Sequence, residues 1–231
     1  MSGIWHGVAT RGVMSDPSVR RYSGRSVDEW KAARRERLLD AALELFGTEG
    51  YPATSVERLC AQAKVSTRHF YHEFQNKEAV LLAVHAQVIE LGVRSTGDAL
   101  AATKDAPVRE RITAALDGYL RTIMTDLRRA RISFVEVVGV SPAVEEQRIA
   151  FRELLVSSVV AIGDDAVARG EITRKDFRFL GLSFMGAVNT VVYDWMLADP
   201  RPPEQQVQSA LRDLAVNLMT ADPRAGGPAA G

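Results

Sequence analysis

Apolar residues recur at helical spacing through most of the chain, and no internal repeat or convincing strand pair interrupts them. Ser26-Val27-Asp28-Glu29 has the form of a capping box, in which a hydroxyl and a carboxylate satisfy free amides at a helix start. Behind it Leu38, Ala41, Ala42, Leu45 and Phe46 fall at i, i+3, i+4, i+7 and i+8, one face of a helix that Gly47 or Gly50 can end. Thr54-Ser55-Val56-Glu57 forms a second box opening a short helix, with Val56, Leu59, Cys60 and Ala63 on one face. Ser66 is placed to cap a third helix over Thr67–His72, closed by Phe74. Asn76 is placed to cap a longer fourth helix carrying Val80, Leu81, Val84 and Val88.

The helical period continues beyond residue 90. Pro107 suits the first turn of a helix running to about Leu127, and Arg131 to Val138 reads as another. Ser141-Pro142 pairs a cap with proline at the first helical position, opening a long helix that Gly170 ends. Thr173 is expected to cap a helix through Phe177, Leu180, Gly181, Phe184, Val188, Val191, Val192 and Trp195. The run Asp199-Pro200-Arg201-Pro202-Pro203 breaks the chain before a last amphipathic helix with Val207, Leu211, Leu214 and Leu218. The expectation is an all-α fold with a disordered arm over 1–25, a three-helix head over 26–75, a helical body over 76–222 and a disordered tail over 223–231. Met14 offers a second possible start within the arm.

Bulk composition adds mostly exclusions. Of 231 residues 46% are hydrophobic and 25% charged, ordinary proportions for a globular protein. No apolar run reaches the roughly 20 residues of a membrane span, and the first 25 residues hold no apolar core of a secretory signal. One cysteine, Cys60, leaves no internal disulfide or cysteine-based zinc cluster, and fits a reducing cytoplasm. No nucleophile elbow, phosphate-binding loop, dinucleotide fingerprint or His-Glu metal pattern is found, so neither an enzyme, a cofactor nor a metal is expected.

The net charge is zero, yet its distribution is uneven. Residues 20–77 hold eleven basic and eight acidic side chains, a balance of +3, against −3 for residues 78–231. A mildly basic head on a mildly acidic body suits a head that meets phosphates. Within that head, two short helices joined by Lys64-Val65-Ser66 match a helix-turn-helix, with Cys60 and Ala63 small enough for a close crossing. Thr67, Arg68, His69 and His72 face away from Phe70, the composition needed to enter a major groove. The competing reading is a merely solvated helix surface.

These anchors resemble the TetR family of bacterial regulators. The similarity lies in Arg37–Phe46, Gly50-Tyr51, Thr54-Ser55-Val56, Leu59–Ser66 and Phe70–Glu78, and covers about residues 34–85. The resemblance implies phosphate contacts from Thr54, Tyr71 and Lys77 and base reading by Thr67, Arg68, His69 and His72, with packing as the alternative role for Tyr71. Lys64 joins this DNA-facing set from a turn position where the family prefers glycine, since the backbone there needs φ above zero. Arg68 also stands where glycine is frequent, and both departures read as operator specificity. Arg20, Arg21 and Arg25 of the arm could follow the minor groove or simply be solvated.

The resemblance further implies a homodimer on a palindromic double-stranded DNA operator. Lys175–Leu197 and Glu204–Met219 would form the intersubunit bundle, with Gly181, Gly186 and Ala187 permitting close approach and Phe177, Phe184 and Trp195 supplying apolar area. It also implies a small-molecule inducer of unknown identity, mostly hydrophobic because no charges converge on one face of the body. Candidate linings are Tyr119, Met124, Phe134, Phe151, Phe184, Met185, Asn189 and Tyr193. Ligand binding would tilt the Lys77–Arg94 helix and release DNA, giving a cytoplasmic, nucleoid-associated repressor. The alternative is a DNA-binding member that acts through protein contacts, which a pocket filled solid with side chains would favour.

Overall fold

The computed structural model describes residues 21, 22 and 25–221, with side chains from Asp28 onward. Most of the arm expected over 1–25 and the tail expected over 223–231 lie outside the described residues. So does the side chain of Ser26, and with it the first capping box. Arg21–Tyr22 and Arg25–Ser26 form a two-residue antiparallel pair, Arg21 opposite Ser26. Otherwise the regular structure of the described residues is helical. Three helices make the head: α1 (Val27–Thr48), α2 (Val56–Ala63) and α3 (Thr67–Glu73). α4 (Lys77–Ala102) leads into the body, followed by α5 (Val108–Met124) and α6 (Leu127–Arg131). A π-helical turn, Ile132–Glu136, extends α6, before α7 (Pro142–Ala168), α8 (Phe177–Leu197) and α9 (Glu204–Thr220).

The caps explain most of these boundaries. Ser66, Asn76 and Ser141 each accept a backbone N–H from the third residue onward, as expected of caps. Two expectations shift. Ser55, not Thr54, caps α2, its Oγ accepting from the Arg58 amide at 3.2 Å. Asp176, not Thr173, caps α8 by accepting from the Phe179 amide at 2.9 Å. α1 also runs through Gly47, where a β-carbon would meet the backbone of Arg128 on α6. The helix expected over Arg131–Val138 is instead the end of α6 and its π-turn. That widening lets Ile132 and Val137 both face the head while Glu136 reaches back to it.

The core divides into three adjoining clusters. One joins α1, α2 and α3 through Leu38, Phe46, Leu59 and Phe70, and takes in Val80, Leu81 and Val84 of α4 and Ile132, Val137 and Val144 from the body. The core of the head therefore does not stop at residue 75. The second gathers Val88, Tyr119, Ile123, Val192, Trp195 and Leu211, and the third Val108, Ile112, Ile162, Phe177 and Met219. Complete burial of a side chain such as Phe70 is worth about 1.5–3 kcal/mol, so α3 is fixed by its inner face and free on its outer one.

Candidate nucleic-acid interface and adjoining cavities

α2 and α3 meet through a tight turn. Lys64 stands in the left-handed region at φ 53°, ψ 46°, its amide donating to Ala61 O, while the Val65 amide donates to Cys60 O. Val65 is buried and plugs the turn into the head core. Burial pushes the Cys60 thiol above its ordinary range, which keeps it an apolar packing group. Arg37 Nε donates to Ala63 O at 3.2 Å, closing the end of α2. Arg34 pairs with Glu73 at 3.4 Å, and the Arg35 guanidinium lies 4.3 Å from the centre of the Phe74 ring. Three of the basic residues counted toward the positive head thus tie α1 to the helix-turn-helix.

The outer face of α3 presents Thr67, Arg68, His69, Tyr71 and His72, all exposed, as is Lys64 in the turn. Tyr71 is 58% exposed, with the edge of its ring against buried Phe70 at 5.2 Å, so it both packs and projects. Ser66 Oγ accepts from the His69 amide and lies 3.0 Å from His69 Nδ1, fixing that ring at the N-terminus of α3. Lys31 and Arg34 of α1 line one groove with Arg68, His69, His72 and Glu73. Exposed donors of this kind beside a helix start are what phosphates and base edges require.

Two residues expected at this surface are placed differently. Thr54 is 1% exposed and its hydroxyl donates to Gly50 O at 2.9 Å, so its side chain is a strut of the α1–α2 turn, with no hydroxyl turned outward. Lys77 Nζ donates to Tyr51 O and Thr54 O, both at 2.8 Å, and sits 4.2 Å from the Tyr51 ring centre. Burial lowers its pKa, and its third N–H is left for an outside acceptor.

Two adjoining cavities lie among α4, α5, α7 and α8 of the body. The first, about 110 Å³, is lined by Ile112, Leu116, Val159, Leu180, Phe184 and Val188 among others, from α4, α5, α7, α8 and α9. The second, about 80 Å³, is lined by residues of α4, α5, the π-turn, α7 and α8, including Phe134, Phe151 and Asn189. Tyr119, Leu155 and Met185 border both. Burial pushes the Tyr119 phenol up to about 12, so it stays neutral there.

The chain matches the model for bacterial regulatory proteins of the tetR family over residues 38–84. It matches that for the tetracyclin repressor-like C-terminal domain over residues 105–219. It belongs to the TetR family. Among relatives of this TetR-family chain, the regulator TcmR of Streptomyces glaucescens is 28% identical over 128 residues, 55% of this chain and 50% of that protein. The transcriptional activator FasR of Mycolicibacterium smegmatis is 32% identical over 114 residues, 49% of this chain and 51% of that one. The matches span about half the length of these two relatives. The transcriptional regulator FadR of Bacillus subtilis, solved in complex with stearoyl-CoA, superposes with a TM-score of 0.71 at 18% identity, covering 78% of this chain and 97% of that one, which shows the shared fold.

Of the expected cavity residues, Tyr119, Phe134, Phe151, Phe184, Met185 and Asn189 border one cavity or both. Met124 and Tyr193 border neither. Met124 lies one turn past Tyr119 on α5, where the space has closed into core. Tyr193 is 45% exposed because it lies on the outer side of α8. The expected subunit contacts also change. Phe177 and Trp195 are buried within the chain itself and Gly181 faces Val156 and Val159 of α7. Sequence reasoning further missed that His85, Glu145, Arg148 and Arg152 meet at the second cavity. The signal was present on α7, where residues 145, 148 and 152 share a face.

Proposed function

We propose that the protein is a transcriptional repressor that binds a two-fold symmetric DNA operator as a homodimer and is released from it by a ligand with a long apolar chain. The observation that carries the DNA half is the outer face of α3. Arg68, His69, Tyr71 and His72 stand exposed on a helix whose inner face is locked by Phe70. Thr67, Arg68, His69 and His72 are read as the base-facing set, with Tyr71, Lys64 and the free N–H of Lys77 toward phosphates. Thr54 serves this surface only by holding the turn.

The ligand half is supported by the open, almost wholly apolar first cavity, where a side-chain-filled core would have favoured regulation through protein contacts. Stearoyl-CoA bound to the similarly folded FadR makes a fatty-acyl chain the class to test first. α4 begins beside the recognition helix and forms a wall of both cavities, so a ligand that moves α4 changes how the heads are held.

Selection of bound sequences from random DNA tests the first half. The whole chain is expected to enrich a palindrome, and Arg68→Ala to flatten preference at one position in each half-site. An unchanged preference in that variant removes the base-reading role. Stearoyl-CoA is expected to lower operator affinity, and unchanged affinity at saturating ligand would rule out the release mechanism.

A further inference from the structure

The second cavity carries polar groups that the described part of the chain leaves unsatisfied. His85 on α4 is buried, and its Nδ1 lies 3.0 Å from Gln147 Nε2. The same Gln147 nitrogen is 3.0 Å from Leu82 O. A carbonyl oxygen only accepts, so the Gln147 amide group donates one N–H to Leu82 O and the other to Nδ1. Nδ1 is therefore the acceptor of the ring and the proton sits on Nε2. Burial holds the imidazole at about 4, so it is neutral at physiological pH and carries a single N–H donor on a ring that lines the cavity.

Two more residues that carry donors line the same cavity. Ser133 Oγ, on the π-turn, is shut off from solvent without a hydrogen-bond partner. Among the described residues Arg152 on α7 has only a loose ion pair, 3.9 Å to Glu153, and Glu153 is engaged by Arg178 at 2.6 Å. The neighbouring Arg148 is by contrast paired with Glu145. A neutral N–H, a hydroxyl and an uncommitted guanidinium together suit a group rich in acceptor oxygens and negative charge. This polar cavity shares walls with the apolar one, and from Arg148 to Ile162 the α7 lining extends about 21 Å, which favours an elongated molecule.

We propose that the two cavities are the two ends of one site for a long-chain ligand with an anionic oxygen head. The chain lies along Leu116, Val159 and Val188, and the head is held by His85 Nε2–H, Ser133 Oγ–H and the Arg152 guanidinium. This rests on the first cavity being the ligand site, as proposed above. The head is either the carboxylate of a free acid or the thioester carbonyl and phosphates of a coenzyme conjugate.

Binding of stearate, stearoyl-CoA and octadecan-1-ol to the whole protein tests it. At least one of the two anions is expected to bind about ten-fold or more tighter than the alcohol, and which one identifies the head. Arg152→Gln, at a half-exposed position, is expected to erase that preference without weakening the alcohol. Ser133→Ala is expected to leave the unliganded protein as stable or slightly more so while weakening the anion, a pair of effects a structural role would not give. If alcohol and anions bind alike, or Arg152→Gln keeps the preference, the polar end is refuted and the apolar site stands. If none of the three binds while operator DNA still does, the long-chain reading fails and this proposal with it.

Discussion

Lys64 shows how a single residue can set the geometry of the reading head. Its left-handed backbone is what turns α2 into α3, and for a lysine that conformation costs roughly 1–2 kcal/mol. Glycine removes the cost but makes the unfolded chain more flexible, so Lys64→Gly is expected to raise stability by about 0.5–1 kcal/mol in urea unfolding. Loss of its exposed charge is expected to weaken DNA binding and reduce its salt dependence at once. His85 gives a second test. Burial, with the Arg148 charge behind it, lowers its pKa from 6.5 to about 4, so the unfolded chain takes up this proton first. Stability is then lost as pH falls from about 6.5 to about 4, by up to about 3 kcal/mol. In His85→Gln this part of the acid sensitivity is expected to vanish, leaving only the carboxylate part, as urea titrations at stepped pH would read. Lys64 was legible in the sequence because turn chemistry is local. His85 was not, since its meaning comes from Gln147, which lies 62 positions away.

At the scale of elements, the joint between head and body is built from α6 and its π-turn. Arg128 reaches Glu44 of α1 at 2.5 Å and Asp126 at 2.7 Å, and these bonds, that to Asp126 foremost, raise its pKa. Arg131 bonds Glu136 at 2.7 Å and Thr48 O at 2.8 Å, and buried Glu136 accepts from the Tyr51 amide at 2.6 Å. The same π-turn carries Ser133 and Phe134 into the second cavity, so one short segment touches both the proposed ligand and the α1–α2 turn. Gly47 permits the contact, since a β-carbon there would stand 2.7 Å from Arg128 Cα. Gly47→Ala is expected to push α6 away and cost about 1–3 kcal/mol in thermal unfolding, and to shrink the effect of ligand on operator affinity. A variant as stable and as responsive as the parent would show that this joint is not where the two units communicate. Periodicity foresaw a helix here but not its widened turn, because the partner that draws Glu136 back lies 85 residues upstream.

At the scale of the whole molecule, one face of α8 is left exposed among the described residues. Phe179, Ser183, Gly186, Thr190, Tyr193 and Leu197 are all exposed and fall at alternating steps of four and three, a single stripe. On α9, Leu214 is also exposed. The apolar ends and small centre of the stripe suit close packing against its own symmetry mate, which would set two recognition helices at a fixed spacing. Gly186 separates the two scales cleanly. A β-carbon there meets nothing within 4 Å among the described residues, so a larger side chain fits the isolated chain and, in mid-helix, favours it by about 1 kcal/mol. Between two closely crossing helices the same side chain has no room. Gly186→Arg is therefore expected to sediment as a monomer at micromolar concentration while keeping its helical spectrum. Its operator affinity is expected to fall about 100-fold or more, because each half-site then loses the effective concentration supplied by the other. A Gly186→Arg protein that remains dimeric would place the two-fold axis elsewhere. One that becomes monomeric yet binds the full operator as tightly as before would show that a single head suffices, and that the palindrome has no partner in the protein's symmetry.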